Sequence, residues 1–125
     1  MEDKLIEILE DFNYPVYRQG SLAGQEYPDD FFTFWNSDSP DHAHYDNADY
    51  GTEWSFSVNF YSNNPLHTYE VLGEAIIALK AAGFIADGKG YDVQSDEITH
   101  TGRGVGLKYL ETPIKEVKTN AQDNL

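Results

Sequence analysis

From Thr52 onward, polar and apolar positions alternate residue by residue through TEWSFSVNFY. Trp54, Phe56, Val58 and Phe60 fall on one side, and Ser55, Ser57, Asn59 and Tyr61 on the other. That is the period of two expected of a strand. One apolar and one polar face is the pattern of an antiparallel strand covered on one side, whereas a buried parallel strand is apolar throughout. Ser62-Asn63-Asn64-Pro65 then turns the chain, and the period becomes helical. Asn64 can cap the free N–H groups, and Pro65 fits the first helical position, where its missing N–H costs nothing. Tyr69, Leu72, Ile76 and Leu79, with Ala75 and Ala82 beside them, predict a single apolar stripe. Gly83 suits the left-handed residue just past a helix, and Phe84 can fold back on Leu79 as in a Schellman motif. The strand Thr52–Tyr61 and the helix Asn64–Ala82 thus predict one packing unit, stripe against apolar face, at the centre of the core.

The flanking chain supplies further elements. Leu5, Ile8, Leu9 and Phe12 share a helical face over Glu2–Asp11, with Glu2 and Asp3 where the helix dipole favours negative charge. Asn13–Tyr17 reads as a short strand, placed at an edge or a strand start by Pro15. Gln19–Asp30 is a loop, carrying Gly20, Gly24 and Pro28. Phe31-Phe32-Thr33-Phe34-Trp35 is a strand apolar on both faces, Phe32 and Phe34 one way and Phe31 and Trp35 the other. If helices cover one face, the other needs a second cover, either a loop or tail of the same chain or another subunit. Phe84–Ala86 begins a strand, Asp87-Gly88-Lys89-Gly90 interrupts it as a turn, and Tyr91–Val93 resumes it. Thr99–Gly104 reads as a bend entering a last strand, Val105–Tyr109, which Pro113 ends. Residues 1–112 are therefore expected to be one α+β domain, an antiparallel or mixed sheet of four to five strands with two helices on one face. Residues 113–125 are expected to be a polar, mobile tail.

Composition narrows the chemistry. The chain has 125 residues, enough for a single core. Its 22 acidic and 8 basic residues give a formal charge of -14, so nucleic acid and anionic membranes should repel it. Cysteine is absent, which excludes disulfides, a thiol nucleophile and cysteine-type zinc sites. No signal peptide is expected, and no apolar run approaches the roughly 20 residues that span a bilayer. Aromatic residues make up 14% of the chain, more than one small core readily buries, so some are expected at an interface.

The connection Asn36–Gly51, NSDSPDHAHYDNADYG, is long enough to be functional or disordered. Its His42 and His44, beside Asp41 and Asp46, lack a third ordered ligand and match no zinc spacing. Asp87–Gly90 lacks the acidic spacing of a calcium loop, and Thr99–Gly104 has the glycines of a phosphate loop without its G-K-[ST]. His100 stands out as the one histidine in an ordered setting, expected to be satisfied or at the surface rather than catalytic. Nucleophile elbow, H-E-x-x-H and dinucleotide fingerprint are all absent from the sequence. No catalytic, cofactor or metal residues are put forward, and the residues read as a binding or structural domain.

The order helix, strand, strand, long loop, strand, helix, strand, strand resembles the lambda-type tail terminator, or tail completion, proteins of long-tailed bacteriophages. The likeness is carried by the opening helix with Leu5, Ile8 and Leu9, by Phe31–Trp35, and above all by WSFSVNFYSNNPLHTYEVLGEAIIALKAAGF. The segment GKGYDVQSDEITHTGRGVGLKYLE is also similar to small proteins of the tail-module region of Gram-positive phages and prophages. The resemblance spans about residues 1–112 and contains no catalytic signature. It implies a structural protein, not an enzyme, with no cofactor. Such a protein forms a ring, usually a hexamer, that caps the tail tube and meets the head completion protein. It is placed in the virion tail, and in the host bacterial cytoplasm during assembly, with no specific nucleic-acid binding and no membrane. Candidate interface residues are Phe31, Thr33 and Trp35, with Tyr61 and Arg103. The alternative from the residues alone is an acidic inhibitor, of the immunity type, that masks a basic partner.

Overall fold

The structure, a computed structural model, describes residues 2–19, 21, 26–37, 52–95 and 97–111. Helix α1 is Glu2–Glu10 and α2 is Pro65–Ala81; the strands are β1 Val16–Arg18, β2 Asp30–Asn36, β3 Thr52–Ser62, β4 Ile85–Ala86, β5 Tyr91–Val93 and β6 Thr101–Glu111. The architecture is α+β, and the sheet runs β1-β2-β3-β6-β4, with β5 beside β4 on the same edge of β6. It is mixed: β1 pairs in parallel with β2, and every other pairing is antiparallel. Six strands replace the expected four to five. The turn at Asp87–Gly90 separates β4 from β5, yet both return to the same neighbour.

The turn chemistry around α2 forms as its residues dictate. Asn64 Oδ1 accepts from the Leu66 N–H at 3.1 Å, and Pro65 opens the helix. Gly83 takes φ +104°, and the Phe84 N–H donates to the Leu79 carbonyl at 3.0 Å, closing the Schellman motif. Phe84 enters the core and packs against Tyr109, ring centroids 4.9 Å apart.

Both helices pack on one face of the sheet. Leu5 and Leu9 of α1, and Val71, Leu72, Ala75, Ile76 and Leu79 of α2, join Phe32, Phe34, Phe56, Val58, Phe60, Val105 and Leu107 in one core cluster. Fully buried side chains such as Phe56 and Phe60 each contribute about 1.5–3 kcal/mol relative to exposure.

Two expectations are corrected. The buried stripe of α2 runs through Thr68, Val71, Leu72, Ala75, Ile76 and Leu79, and Tyr69 lies outside it, 56% exposed. The last strand begins at Thr101, not Val105, so most of the expected bend is strand, paired along its length with β3. Its alternate glycines weaken strand propensity when β6 is read alone. In the sheet Gly102 and Gly104 are the places where the β3 side chains lie down. The connection containing His42 and His44, and the tail 113–125, fall outside the described residues.

Candidate functional site

The face of the sheet opposite the helices is built in matched rows across three strands. Phe31, Tyr61 and Gly102 form one row, Thr33, Asn59 and Gly104 the next, and Trp35, Ser57 and Gly106 the third. Period-two alternation puts all nine on one side, because their neighbours Phe32, Phe34, Phe56, Val58, Phe60, Val105 and Leu107 are in the helix-covered core. A Cβ on Gly102 would stand 2.6 Å from Tyr61 Cε1, and one on Gly104 would overlap the Asn59 side chain. The glycines therefore hold this face low, so that side chains from β3 can lie across β6.

The three rows end differently. Phe31 stacks on Tyr61 at 5.2 Å and 26°, and Tyr17, Tyr27 and His100 meet it edge-on at 6.1, 5.4 and 5.9 Å. His100 is tied down by its Nε2 to the Pro28 carbonyl at 2.8 Å, the satisfied histidine that was expected. Phe31 is only 2% exposed, so at this end the chain's own rings provide the cover and Phe31 offers no area to a partner. In the middle row, Asn59 donates its amide to Tyr61 Oη at 3.2 Å. Thr33 Oγ1 and Asn59 Oδ1 are buried with no hydrogen-bond partner among the described residues. In the third row Trp35 is half-buried.

Four of the five candidate interface residues, Phe31, Thr33, Trp35 and Tyr61, thus share one face. Arg103 is apart. It opposes Phe60 in register, on the helix side, with its guanidinium 4.2 Å from the Tyr69 ring and Nη1 2.8 Å from Asp92 Oδ1.

A second constellation brings together residues that sequence reasoning did not connect. The Tyr14 hydroxyl lies 3.0 Å from His67 Nε2, and His67 Nδ1 lies 3.1 Å from Asp30 Oδ1, which also accepts from Ser62 Oγ. The tautomer satisfying both contacts has Nδ1–H donating to Asp30 and Nε2 accepting from the phenol. His67, in the first turn of α2, is thus ordered, and His100 is not alone in that respect. The order hydroxyl–imidazole–carboxylate matches that of an activated nucleophile. Its electrostatics run the other way: burial first, then the Asp30 and Glu74 carboxylates, raise the Tyr14 pKa from its ordinary 10.0. A phenol held neutral is a hydrogen-bond donor, and here it clamps the segment after α1 to the start of α2 and to β2. Only the neighbouring Asn64-Pro65 cap was legible in the sequence, because Asp30 comes from another strand.

Among the described residues no three His, Asp or Glu side chains gather closely enough to hold a metal ion, and no helix is long and apolar enough to cross a membrane. Neither a protein-family model nor a curated protein matches the chain.

Proposed function

We propose that this chain is a structural, non-enzymatic phage or prophage protein, a tail terminator or head–tail joining component that closes into a ring on the tail tube. The observation that supports this reading is the second face of the sheet. No described helix packs on it, yet it carries Trp35, only half-buried in the isolated chain. A neighbouring subunit or the tail tube seated there would cover the rest of the indole, and burying apolar surface is favourable by about 25 cal/mol per Å². The order of helices and strands that carries the resemblance to tail terminators is kept in the fold through α2, after which three strands, β4, β5 and β6, follow in place of two. In the ring, the neighbouring subunit, the tail tube protein and the head completion protein are the partners.

The test is assembly of the purified chain with tail tubes. Analytical ultracentrifugation and electron microscopy should find a closed ring, free or at tube ends, and tubes of regulated length. A chain that stays monomeric at all concentrations and leaves tube length unregulated is not a tail terminator. A tight one-to-one complex with a basic toxin would instead support the acidic inhibitor, a role that the exposed acidic side of α1 (Asp3, Glu7 and Glu10, with Asp11 just after it) favours.

A further inference from the structure

Helix α2 is apolar on two flanks, and the sheet covers only one. On the flank turned away from α1, Tyr69 is 56% and Ile77 70% exposed, with Gly73 between them. A helix with apolar residues beyond its core stripe is usually covered there as well. Between this flank, the β4–β5 turn and β6 lies a groove of about 480 Å³, lined by Tyr69, Gly73, Ile77, Lys80, Lys89 and Arg103 among others. Nothing lies within 4 Å of a Cβ placed on Gly73, so the middle of the flank is open.

The charge of the groove is opposite to that of the molecule. Three of the chain's eight cations line it, although the chain carries -14 overall. Arg103 is paired with Asp92, but Lys80 and Lys89 are exposed and make no ion pair among the described residues. The complement lies on the far side of the helical layer. Asp3, Glu7 and Glu10 follow one another at helical spacing around the outer face of α1, with Asp11 in the turn just after it, all exposed and without an ion pair among the described residues. The two surfaces sit on opposite flanks, because α1 adjoins β1 while α2 packs over β3, β6 and β4.

We propose that the groove receives the acidic face of α1 from a second copy of this chain. Tyr69 and Ile77 are covered by the incoming helix, and Lys80 and Lys89 pair with its carboxylates. Because the two patches differ and lie on opposite sides, the contact is heterologous, the kind that repeats around a ring. The proposal deepens the ring reading by naming its lateral contact, and it rests on that reading only for the closure of the ring.

The experiment is a charge swap measured by sedimentation equilibrium on the full chain, with circular dichroism melts to verify folding. Lys80→Glu with Lys89→Glu, and separately Glu7→Lys with Glu10→Lys, should each weaken self-association by about tenfold or more. An equimolar mixture of the two variants should associate better than either alone. The second variant is decisive in sign. It lowers the net negative charge, so general self-repulsion alone would make it associate more tightly, as it should for the control Glu53→Lys with Glu97→Lys. Equal or tighter association of Glu7→Lys/Glu10→Lys, no gain on mixing, or a wild-type chain that never associates would overturn the contact. A ring on tail tubes that survives both reversals leaves the tail-terminator reading standing and removes this contact. Swap-dependent association without any effect on tubes does the reverse.

Discussion

At Tyr14 a single phenol is held between burial and two carboxylates, and the consequence is a pH dependence with a definite sign. The folded pKa is raised above its ordinary 10.0. Its contribution is therefore fully present below pH 10 and is lost as pH rises through the folded value. Chemical denaturation followed from pH 8 to 12 should show an alkaline fall in stability that Tyr14→Phe reduces. An identical fall in both proteins would show that the phenol carries no such linkage. Gly104 makes a second residue-scale prediction. An alanine there meets the Asn59 side chain, whereas at Gly106 the nearest atom, Asp87 Cβ, stands 3.7 Å away. Gly104→Ala should cost about 1–3 kcal/mol of stability and Gly106→Ala very little; equal midpoints for the two would refute the low-face account of β6. None of this could be read along the chain, because Asn59 and Gly104 meet only once β3 and β6 are in register.

At the scale of elements, α2 shows what periodicity can and cannot decide. Spacing alone predicts Leu72, Ile76 and Leu79 in the core, and they are there. Tyr69 is aromatic and has the same spacing, but its ring serves as a platform for Arg103. An amphipathic ring one step off the centre of a stripe satisfies the pattern on either side of the helix edge. Ile76→Ala should therefore cost about 2–5 kcal/mol, and Tyr69→Ala about 1 kcal/mol or less. Urea denaturation measures both, and a larger loss at Tyr69 would reverse the assignment of flanks. Cap and stop were fully legible, since Asn64-Pro65 and Gly83-Phe84 act through their own backbone geometry. The start of β6 was not. Its glycines look like a bend until the partner strand supplies the side chains that cover them. The aromatic strand β2 was correctly divided into two faces, but nothing local could tell that Tyr27 and His100 arrive from distant loops to close over Phe31.

For the whole molecule the governing quantity is the contrast between a charge of -14 and one basic groove. Two copies approaching in dilute buffer repel over the Debye length, which is about 30 Å at 0.01 M salt. At about 0.1 M that length falls to about 10 Å, and most of the long-range repulsion is gone. Carboxylates of α1 a few ångströms from Lys80 and Lys89 would still attract at that salt, the more so where Tyr69 and Ile77 exclude water. Near 1 M the Debye length is about 3 Å, and the contact pairs are screened as well. Self-association should consequently be weakest at 0.01 M, strongest at intermediate salt, and weaker again at 1 M. A contact made by apolar surface alone behaves differently. Its repulsion is screened and its attraction is not, so its association climbs with salt throughout. Sedimentation equilibrium across that range separates the two cases, and the Lys80→Glu/Lys89→Glu variant should lose the maximum. A monotonic rise for the wild-type chain would mean that the groove and the acidic helix do not meet.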